Sequence, residues 1–182
     1  MKKILILVHD GFEEMECLTP IDLCRRSGIE VCLCSMTGDL MLHGAHGISV
    51  LADALFEHVN SETFDMVVLP GGLPGATSLR DDPRVIQVLQ QFAQAGKWLS
   101  AICAAPIVLE RAGLLLGRKA TSYPGCLADE TAYAYSIEPV VEDSGVITSR
   151  GVGTAILFAL KIIEVLVSAE KANEISRSIL FS

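Results

Sequence analysis

The chain has 182 residues, of which 51% are hydrophobic but only 5% aromatic, and its formal net charge is −8. This length is enough for one well-buried, mainly aliphatic core and does not require a second domain. The negative charge argues against nucleic acids and anionic membrane surfaces as partners, because both repel an acidic protein. We therefore expect one domain over residues 1–182 that binds neither.

The first predicted element is the apolar run at 4–8 in MKKILILVHDG. It is shorter than the apolar region of a signal peptide, and the acidic stretch after it offers no small-residue cleavage site. Nowhere does an apolar run approach the ~20 residues that cross a bilayer. The run is therefore predicted to be a β-strand, and the protein is expected to be soluble and cytoplasmic.

Beyond this strand, apolar runs alternate with amphipathic stretches. The sequence predicts a helix at 13–26, a strand at 30–36, a hairpin at 40–52 and a strand at 64–72. It then predicts a helix at 83–95, strands at 98–102 and 119–123 around a helix at 104–112, a hairpin at 140–149, and helices at 153–167 and 170–180. Such alternation is typical of an α/β fold with a mostly parallel sheet covered by helices on both faces.

Six cysteines occur in this chain without a secretion signal, which argues against a disulfide framework. Cys32 and Cys34 alternate within EVCLCSM, so both are predicted to lie on one face of a strand, in the core. His43 and His46 lie in a Gly-rich turn with no cysteine or carboxylate nearby in the sequence. The spacing of these residues therefore predicts no metal site.

Chemistry-bearing residues follow the predicted strands. The segments after them are HDGFEEMEC, GGLPGA, CAAP and RGVGT. In an open parallel sheet, ligands bind beyond the carboxyl ends of the strands. Glycine, carboxylate and cysteine thus collect at the edge where a ligand site is expected.

Cys103 lies between a predicted strand and a predicted helix, in SAICAAP. A nucleophile on such a strand–turn–helix elbow is exposed at the sheet edge, and its neighbours must be small because the turn is tight. Ala104 and Ala105 satisfy this condition, and Pro106 suits a first helical turn. A helix N-terminus favours thiolate over thiol. The alternative, an inert buried cysteine, stays open on this motif alone.

Acidic and glycine residues strengthen the nucleophile hypothesis. Glu13, Glu14 and Glu16 begin the helix after the first strand, so at least one can face Cys103 and move protons for it. Acidic residues at a helix N-terminus are also ordinary partners of the helix dipole. After the strand at 64–72, Gly71 and Gly72 allow backbone N–H groups to approach an oxyanion.

Taken together, GFEEMEC, VVLPGG, SAICAAP and TSRGVGTA resemble, in this order and spacing, the ThiJ/PfpI superfamily and its DJ-one branch with bacterial relatives. The resemblance runs nearly from end to end. It implies a flavodoxin-like sandwich that forms a homodimer. It also implies that Cys103 is the reactive elbow cysteine, that Glu16 hydrogen-bonds it, and that backbone N–H groups of Gly72 and Ala104 line an anion pocket.

Two positions depart from this pattern. Ala104 stands where the protease-like and amidase-like branches have a histidine, so a triad through that neighbour is excluded and peptidase activity is not expected. Tyr123 stands where many close relatives have a histidine. Its hydroxyl can donate a hydrogen bond, but a phenol with a reference pKa near ~10 is a poor base at neutral pH.

Two functions follow from the resemblance. The first is a cofactor-free glyoxalase with related deglycase activity, acting on small dicarbonyls such as methylglyoxal with Cys103 as nucleophile and Glu16 as proton shuttle. The second is an oxidative-stress sensor or chaperone that acts through reversible oxidation of Cys103. The expected site contains no metal and comprises Cys103, Glu16, Gly71, Gly72, Ala104 and Tyr123.

Overall fold

The short apolar runs of the sequence form strands in the computed structural model, which describes residues 1–127 and 132–181. The strands are β1 (Lys3–Val8), β2 (Glu30–Ser35), β3 (Met41–His43), β4 (Ser49–Leu51), β5 (Ala54–Leu55), β6 (Met66–Leu69), β7 (Trp98–Ile102), β8 (Lys119–Ala120), β9 (Ala134–Tyr135), β10 (Val140–Asp143) and β11 (Val146–Ser149). The helices are α1 (Glu14–Arg26), α2 (Gly75–Asp81), α3 (Pro83–Gln94), α4 (Pro106–Arg111), α5 (Ala155–Leu166) and α6 (Ala169–Ser178).

Seven strands form the central sheet in the order β10-β11-β7-β6-β1-β2-β5. All neighbours are parallel except the hairpin β10–β11. Strand β1 lies between β2 and β6. The chain therefore adds β2 on one side of β1 and later returns to add β6 on the other side. This creates a switch point at the carboxyl ends of β1 and β6, where open α/β sheets bind ligands.

Alternating side chains of β1 divide the core into two layers. Ile4, Ile6 and Val8 pack into one layer with apolar residues of α1, α5 and α6. Leu5 and Leu7 pack into the other layer with residues of α2, α3 and α4. All five side chains are fully buried, and each such burial contributes roughly 1.5–3 kcal/mol. The expected α/β fold with helices on both faces is thereby confirmed.

Most predicted elements are present, with four differences. Helix α2, strand β5 and strand β9 were not predicted, and the strand expected at 119–123 is ordered as a strand only over Lys119–Ala120. Cys34 is buried and Cys32 half-buried in the same core layer, which confirms their placement on one face. Among the described helices, none is long and apolar enough to cross a membrane.

A buried carboxylate attaches the β3–β4 hairpin to the start of α1. Glu14 accepts hydrogen bonds from the His46 backbone N–H at 2.7 Å and from His46 Nδ1 at 2.8 Å. Burial acts to raise the pKa of Glu14, but these hydrogen bonds outweigh it and lower the pKa to about 2. No carboxylate lies near His46 in the sequence, but a tertiary contact between residues 32 positions apart brings Glu14 to it.

Candidate active site

The elbow predicted at Cys103 is a sharp backbone turn. Cys103 follows β7 directly and has a φ of 64°, in the left-handed region that non-glycine residues rarely adopt. Its N–H donates to the Ser149 carbonyl at 2.9 Å, and its carbonyl accepts from the Tyr123 N–H at 2.8 Å. The turn is thus held by backbone hydrogen bonds on both sides, and Ala104 and Ala105 beside it are buried.

Of the three acidic residues at the start of α1, Glu16 faces the cysteine. Glu13 instead caps the helix, since its carboxylate accepts from the Glu16 N–H at 2.8 Å, and Glu14 holds the hairpin. The Glu16 side chain is fully buried, and its Oε2 accepts from the Gly71 N–H at 3.0 Å. Its Oε1 has no partner at hydrogen-bonding distance among the described residues.

Gly151, which follows β11, marks the point where the reactive groups converge. A Cβ atom built on Gly151 would lie 3.8 Å from Cys103 Sγ, 3.8 Å from Glu16 Oε1 and 3.7 Å from Tyr123 Cδ2. These are ordinary van der Waals distances, so a methyl group on Gly151 would fit without a clash. The Cα of Gly151 therefore faces the thiol, the carboxyl group and the Tyr123 ring together.

The two glycines after β6 are required for close packing. A Cβ on Gly71 would lie 2.5 Å from Glu16 Oε2 and 2.7 Å from the Cβ of Cys103, closer than side chains can approach. Gly72 has a φ of 90°, and its N–H has no hydrogen-bond acceptor in the described parts of the chain. The Gly71 N–H donates to Glu16, so it positions the carboxyl group and is not available to an oxyanion. The Gly72 N–H is the donor that an oxyanion could use.

The pKa values of the central pair are both raised. Burial, with the charge of Glu13, raises the pKa of Glu16 to about 7, although the Cys103 thiol and the Gly71 N–H act in the opposite direction. Burial and the Glu16 carboxyl group raise the pKa of the Cys103 thiol to about 12, against the lowering effect of the Ala104 N–H. The Ala104 N–H at the start of the helix favours the thiolate as expected, but desolvation and the neighbouring carboxyl group outweigh it.

This arrangement defines how the proton moves. Both pKa values are raised, so each group holds its proton more firmly than it would in water. In its ionised form Glu16 could accept the thiol proton while the sulfur forms a bond, which is general base catalysis.

Tyr123 and Cys126 lie on the open side of the site. The Tyr123 side chain is 55% exposed and its ring edge forms one wall beside Gly151. The Cys126 N–H donates to the Tyr123 carbonyl at 3.1 Å, which closes a turn over residues 123–126. Burial and the charge of Glu16 raise the pKa of the half-buried Cys126 thiol, so this second thiol lies within the electrostatic reach of the site.

One group of side chains near the site has a possible metal-ligand arrangement. Oxygen or nitrogen atoms of Glu13, Glu14 and His46 lie within 4.8 Å of one another. Both Glu14 oxygens are already hydrogen-bonded to His46, and Glu13 caps α1. These contacts account for the cluster as the attachment of the hairpin to the helix.

Sequence reasoning did not single out Gly151. The glycine in RGVGT was noted only as part of a segment that follows a strand, and nothing in the sequence distinguishes it from other loop glycines. Its proximity to Cys103 arises because β11 pairs with β7, with Ser149 opposite Ile102.

Comparison with known proteins agrees with this geometry. The DJ-1/PfpI family matches residues 2–165, and the chain therefore belongs to that family. It is 38% identical to protein dj-1beta of Drosophila melanogaster over 98% of this chain and 97% of the relative. It is 33% identical to the glutathione-independent glyoxalase DJR-1.2 of Caenorhabditis elegans over 94% and 92% of the two chains. The structure of oxidized Toxoplasma gondii DJ-1 superposes with a TM-score of 0.95, at 36% identity and over the full length of both chains.

The buried Glu16 carboxylate is expected to reduce stability as the pH rises. Its folded pKa of about 7 exceeds the ordinary 4.5, so the penalty is absent below pH 4.5 and complete above pH 7. Glu16→Gln should therefore stabilise the protein by about 3 kcal/mol at pH 8, at 1.36 kcal/mol per pKa unit, and by much less at pH 5. Urea unfolding at both pH values measures this, with the exposed Glu142→Gln as the control. An equal gain at both pH values would contradict the assignment.

Two glycine substitutions are expected to separate packing from access. Gly71→Ala places a methyl group against Glu16 and Cys103 and should lower the melting temperature markedly.

Gly151→Ala has room for the methyl group and should leave the melting temperature almost unchanged, but the methyl group lies against the Cys103 sulfur. Alkylation of Cys103 by iodoacetamide should then slow about tenfold or more, because small displacements at a reacting centre have large effects. Unchanged alkylation in Gly151→Ala would show that substrates approach from elsewhere.

Proposed function

We propose that this protein is a cofactor-free, cysteine-dependent glyoxalase that converts small dicarbonyls such as methylglyoxal into the corresponding hydroxy acids, here lactate. The observation that carries the proposal is that Cys103 Sγ and Glu16 Oε1 converge on Gly151, each 3.8 Å from the position of a Cβ atom on that glycine. The name of the Caenorhabditis elegans relative, a glutathione-independent glyoxalase, supports it. A related deglycase activity, on adducts of such dicarbonyls, would use the same groups.

The first step is addition of the Cys103 sulfur to the aldehyde carbon. An S–C bond forms, the carbonyl π bond breaks towards oxygen, and Glu16 accepts the thiol proton. The N–H groups of Gly72 and Ala104 stabilise the developing oxyanion, a contribution typically worth ~3 kcal/mol per donor. Return of the proton to this oxygen gives a hemithioacetal.

Glu16 then moves a proton between the two adjacent carbons of the substrate. Its carboxylate removes the proton from the carbon attached to sulfur and the resulting enediol is reprotonated at the neighbouring carbon. This yields a thioester of the hydroxy acid on Cys103. Water cleaves the S–C bond and releases lactate with the free thiol, so the overall reaction adds one water molecule and needs no external oxidant or reductant.

A redox function is the second candidate, favoured by the unpartnered Glu16 Oε1 beside the cysteine. A sulfur oxidised to sulfinic acid carries oxygens that accept hydrogen bonds, and a protonated Glu16 can donate one. A sensor or chaperone of this kind needs only stoichiometric oxidation, whereas the glyoxalase needs turnover.

The protein is further proposed to form a homodimer through the start of α1 and the β3–β4 hairpin. Three large apolar side chains are exposed there: Met15 (56%), Ile48 (52%) and Leu51 (66%). The Ile48 N–H lies 3.4 Å from a Glu14 carboxylate oxygen, so helix and hairpin form one continuous surface. A second copy would remove these side chains from water, at about 25 cal/mol per Å² of apolar surface.

Leu51→Glu is expected to weaken the dimer, because it places a charge on this surface. The dissociation constant should rise about tenfold or more, equivalent to about 1.4 kcal/mol. Light scattering over a concentration series measures the change. Leu116→Glu, at a leucine that is 75% exposed, serves as the control and should leave association unchanged. Equal effects of both variants would remove the support for this interface.

The glyoxalase proposal is tested by lactate formation from methylglyoxal in thiol-free buffer. Wild-type protein should turn over, while Cys103→Ser and Glu16→Gln should each lose about a hundredfold or more, the usual range for a lost proton-transfer group. The value of kcat/KM should rise with pH through about 7, because Glu16 must be ionised to accept the thiol proton. Turnover that persists in Glu16→Gln would rule out the assigned proton shuttle. Absence of turnover in the wild type would direct attention to peroxide titration of Cys103.

A further inference from the structure

A second cysteine is attached to the active-site elbow by two consecutive backbone hydrogen bonds. The Tyr123 N–H binds the Cys103 carbonyl at 2.8 Å, and the Cys126 N–H binds the Tyr123 carbonyl at 3.1 Å. A four-residue turn of this kind keeps its end Cα atoms within about 7 Å. Gly125 has a φ of 78°, which the turn requires and glycine readily adopts. Cys126 therefore lies one tight turn away from Tyr123, whose N–H binds the Cys103 carbonyl.

The six cysteines differ sharply in their surroundings. Cys17, Cys24 and Cys34 are buried in the core. The half-buried ones are Cys32, Cys103 and Cys126, and of these Cys32 lies on the β2 strand, away from the elbow. The charge of Glu16 acts on both Cys103 and Cys126, which places the two thiols around the same carboxyl group.

We propose that Cys126 is a resolving thiol, which forms a reversible disulfide with Cys103 after a hydroperoxide has oxidised Cys103. The proposal deepens the proposed function, since it uses the same nucleophilic Cys103 and would switch its dicarbonyl chemistry off. A disulfide requires Cα atoms about 4.4–6.8 Å apart, so the bond forms in conformations of the 123–126 turn that bring the two Cα atoms to this separation.

Two balanced steps make up the reaction. In the first, Cys103 sulfur attacks the terminal oxygen of a hydroperoxide: an S–O bond forms, the O–O bond breaks, and the thiol proton leaves with the alcohol or water through Glu16. Sulfur is oxidised to the sulfenic acid and the peroxide is reduced. In the second, the Cys126 sulfur attacks the Cys103 sulfur: the S–S bond forms, the S–O bond breaks, and water leaves with the Cys126 proton. An external dithiol reverses the bond by exchange.

Peptide mapping tests this directly, because trypsin separates the two cysteines. Cleavage after Lys97, Arg111, Lys119 and Arg150 gives peptides 98–111 and 120–150, each with a single cysteine. Purified wild-type protein treated with one equivalent of hydrogen peroxide should yield these peptides linked through a disulfide under non-reducing conditions, and as free peptides after dithiothreitol. The readout is a mass, so it is independent of whether methylglyoxal is turned over.

Variants establish the role of the second thiol. When treated with two equivalents of hydrogen peroxide alongside the wild type, Cys126→Ser should give no linked peptide and should accumulate Cys103 sulfinic acid, which dithiothreitol cannot reduce, since the second equivalent oxidises the unresolved sulfenic acid. Cys32→Ser, the matched half-buried cysteine, should behave as wild type. Equal sulfinic acid in wild type and Cys126→Ser, with no linked peptide in either, would overturn the proposal, as would a disulfide that joins Cys103 to any other cysteine.

Discussion

The site depends on one unfavourable arrangement: a carboxyl group that is fully buried beside a thiol. Glu16 has no exposed surface and a backbone hydrogen bond to Oε2, and among the described residues its Oε1 has only the Cys103 thiol close by. Such a group is stable only if its surroundings fix it in place, since an unsatisfied buried oxygen is costly. Gly71 fixes Glu16 in place because it has no side chain. Its N–H can therefore approach the carboxylate, while Cys103 packs against its Cα.

The same arrangement sets the chemistry. A thiolate at Cys103 would place a second negative charge beside Glu16, so the pair holds its proton until the sulfur reacts. The carboxyl group with a pKa of about 7 and the thiol with a pKa of about 12 then act as one unit that exchanges a single proton. Under the proposed function, this coupling keeps the half-buried sulfur protonated and places a base beside it for the moment when an electrophile arrives.

The fold could be predicted because β1, β6 and β7 are continuous apolar runs, and such runs occur in parallel sheets buried on both faces. Helix α2 could not, because GATSLRD has one large apolar residue, Leu79, and no helical periodicity. Its position depends on a tertiary contact instead. A Cβ on Gly75 would come within 2.8 Å of the Phe12 nitrogen, so the helix forms where glycine permits it to pack against the loop after β1.

The sequence indicated most of the residues that the candidate site brings together, but it did not indicate the direction in which their pKa values shift. Motif order identified Cys103 and the acidic segment after β1, but periodicity alone could not choose among Glu13, Glu14 and Glu16. The hairpin contact of Glu14 joins residues 32 positions apart, and the burial of Glu16 arises from the loop after β6. The pKa of Cys103 is raised by burial and by Glu16, which lies far from it in the sequence. The sequence shows only the helix N-terminus, whose lowering effect on this pKa is the weaker one in the structure.

Size selection follows from the same packing. Gly151, the Tyr123 ring and the Glu16 carboxyl group all lie close to Cys103 Sγ. Under the proposed function, a compact aldehyde would approach the sulfur between these groups more easily than a peptide carbonyl, which carries substituents on both sides. Ala104 has no side chain that could act as a base, so Glu16 is the proton-transfer group assigned to the proposed function. Under that proposal, steric access would favour small carbonyl compounds over amides.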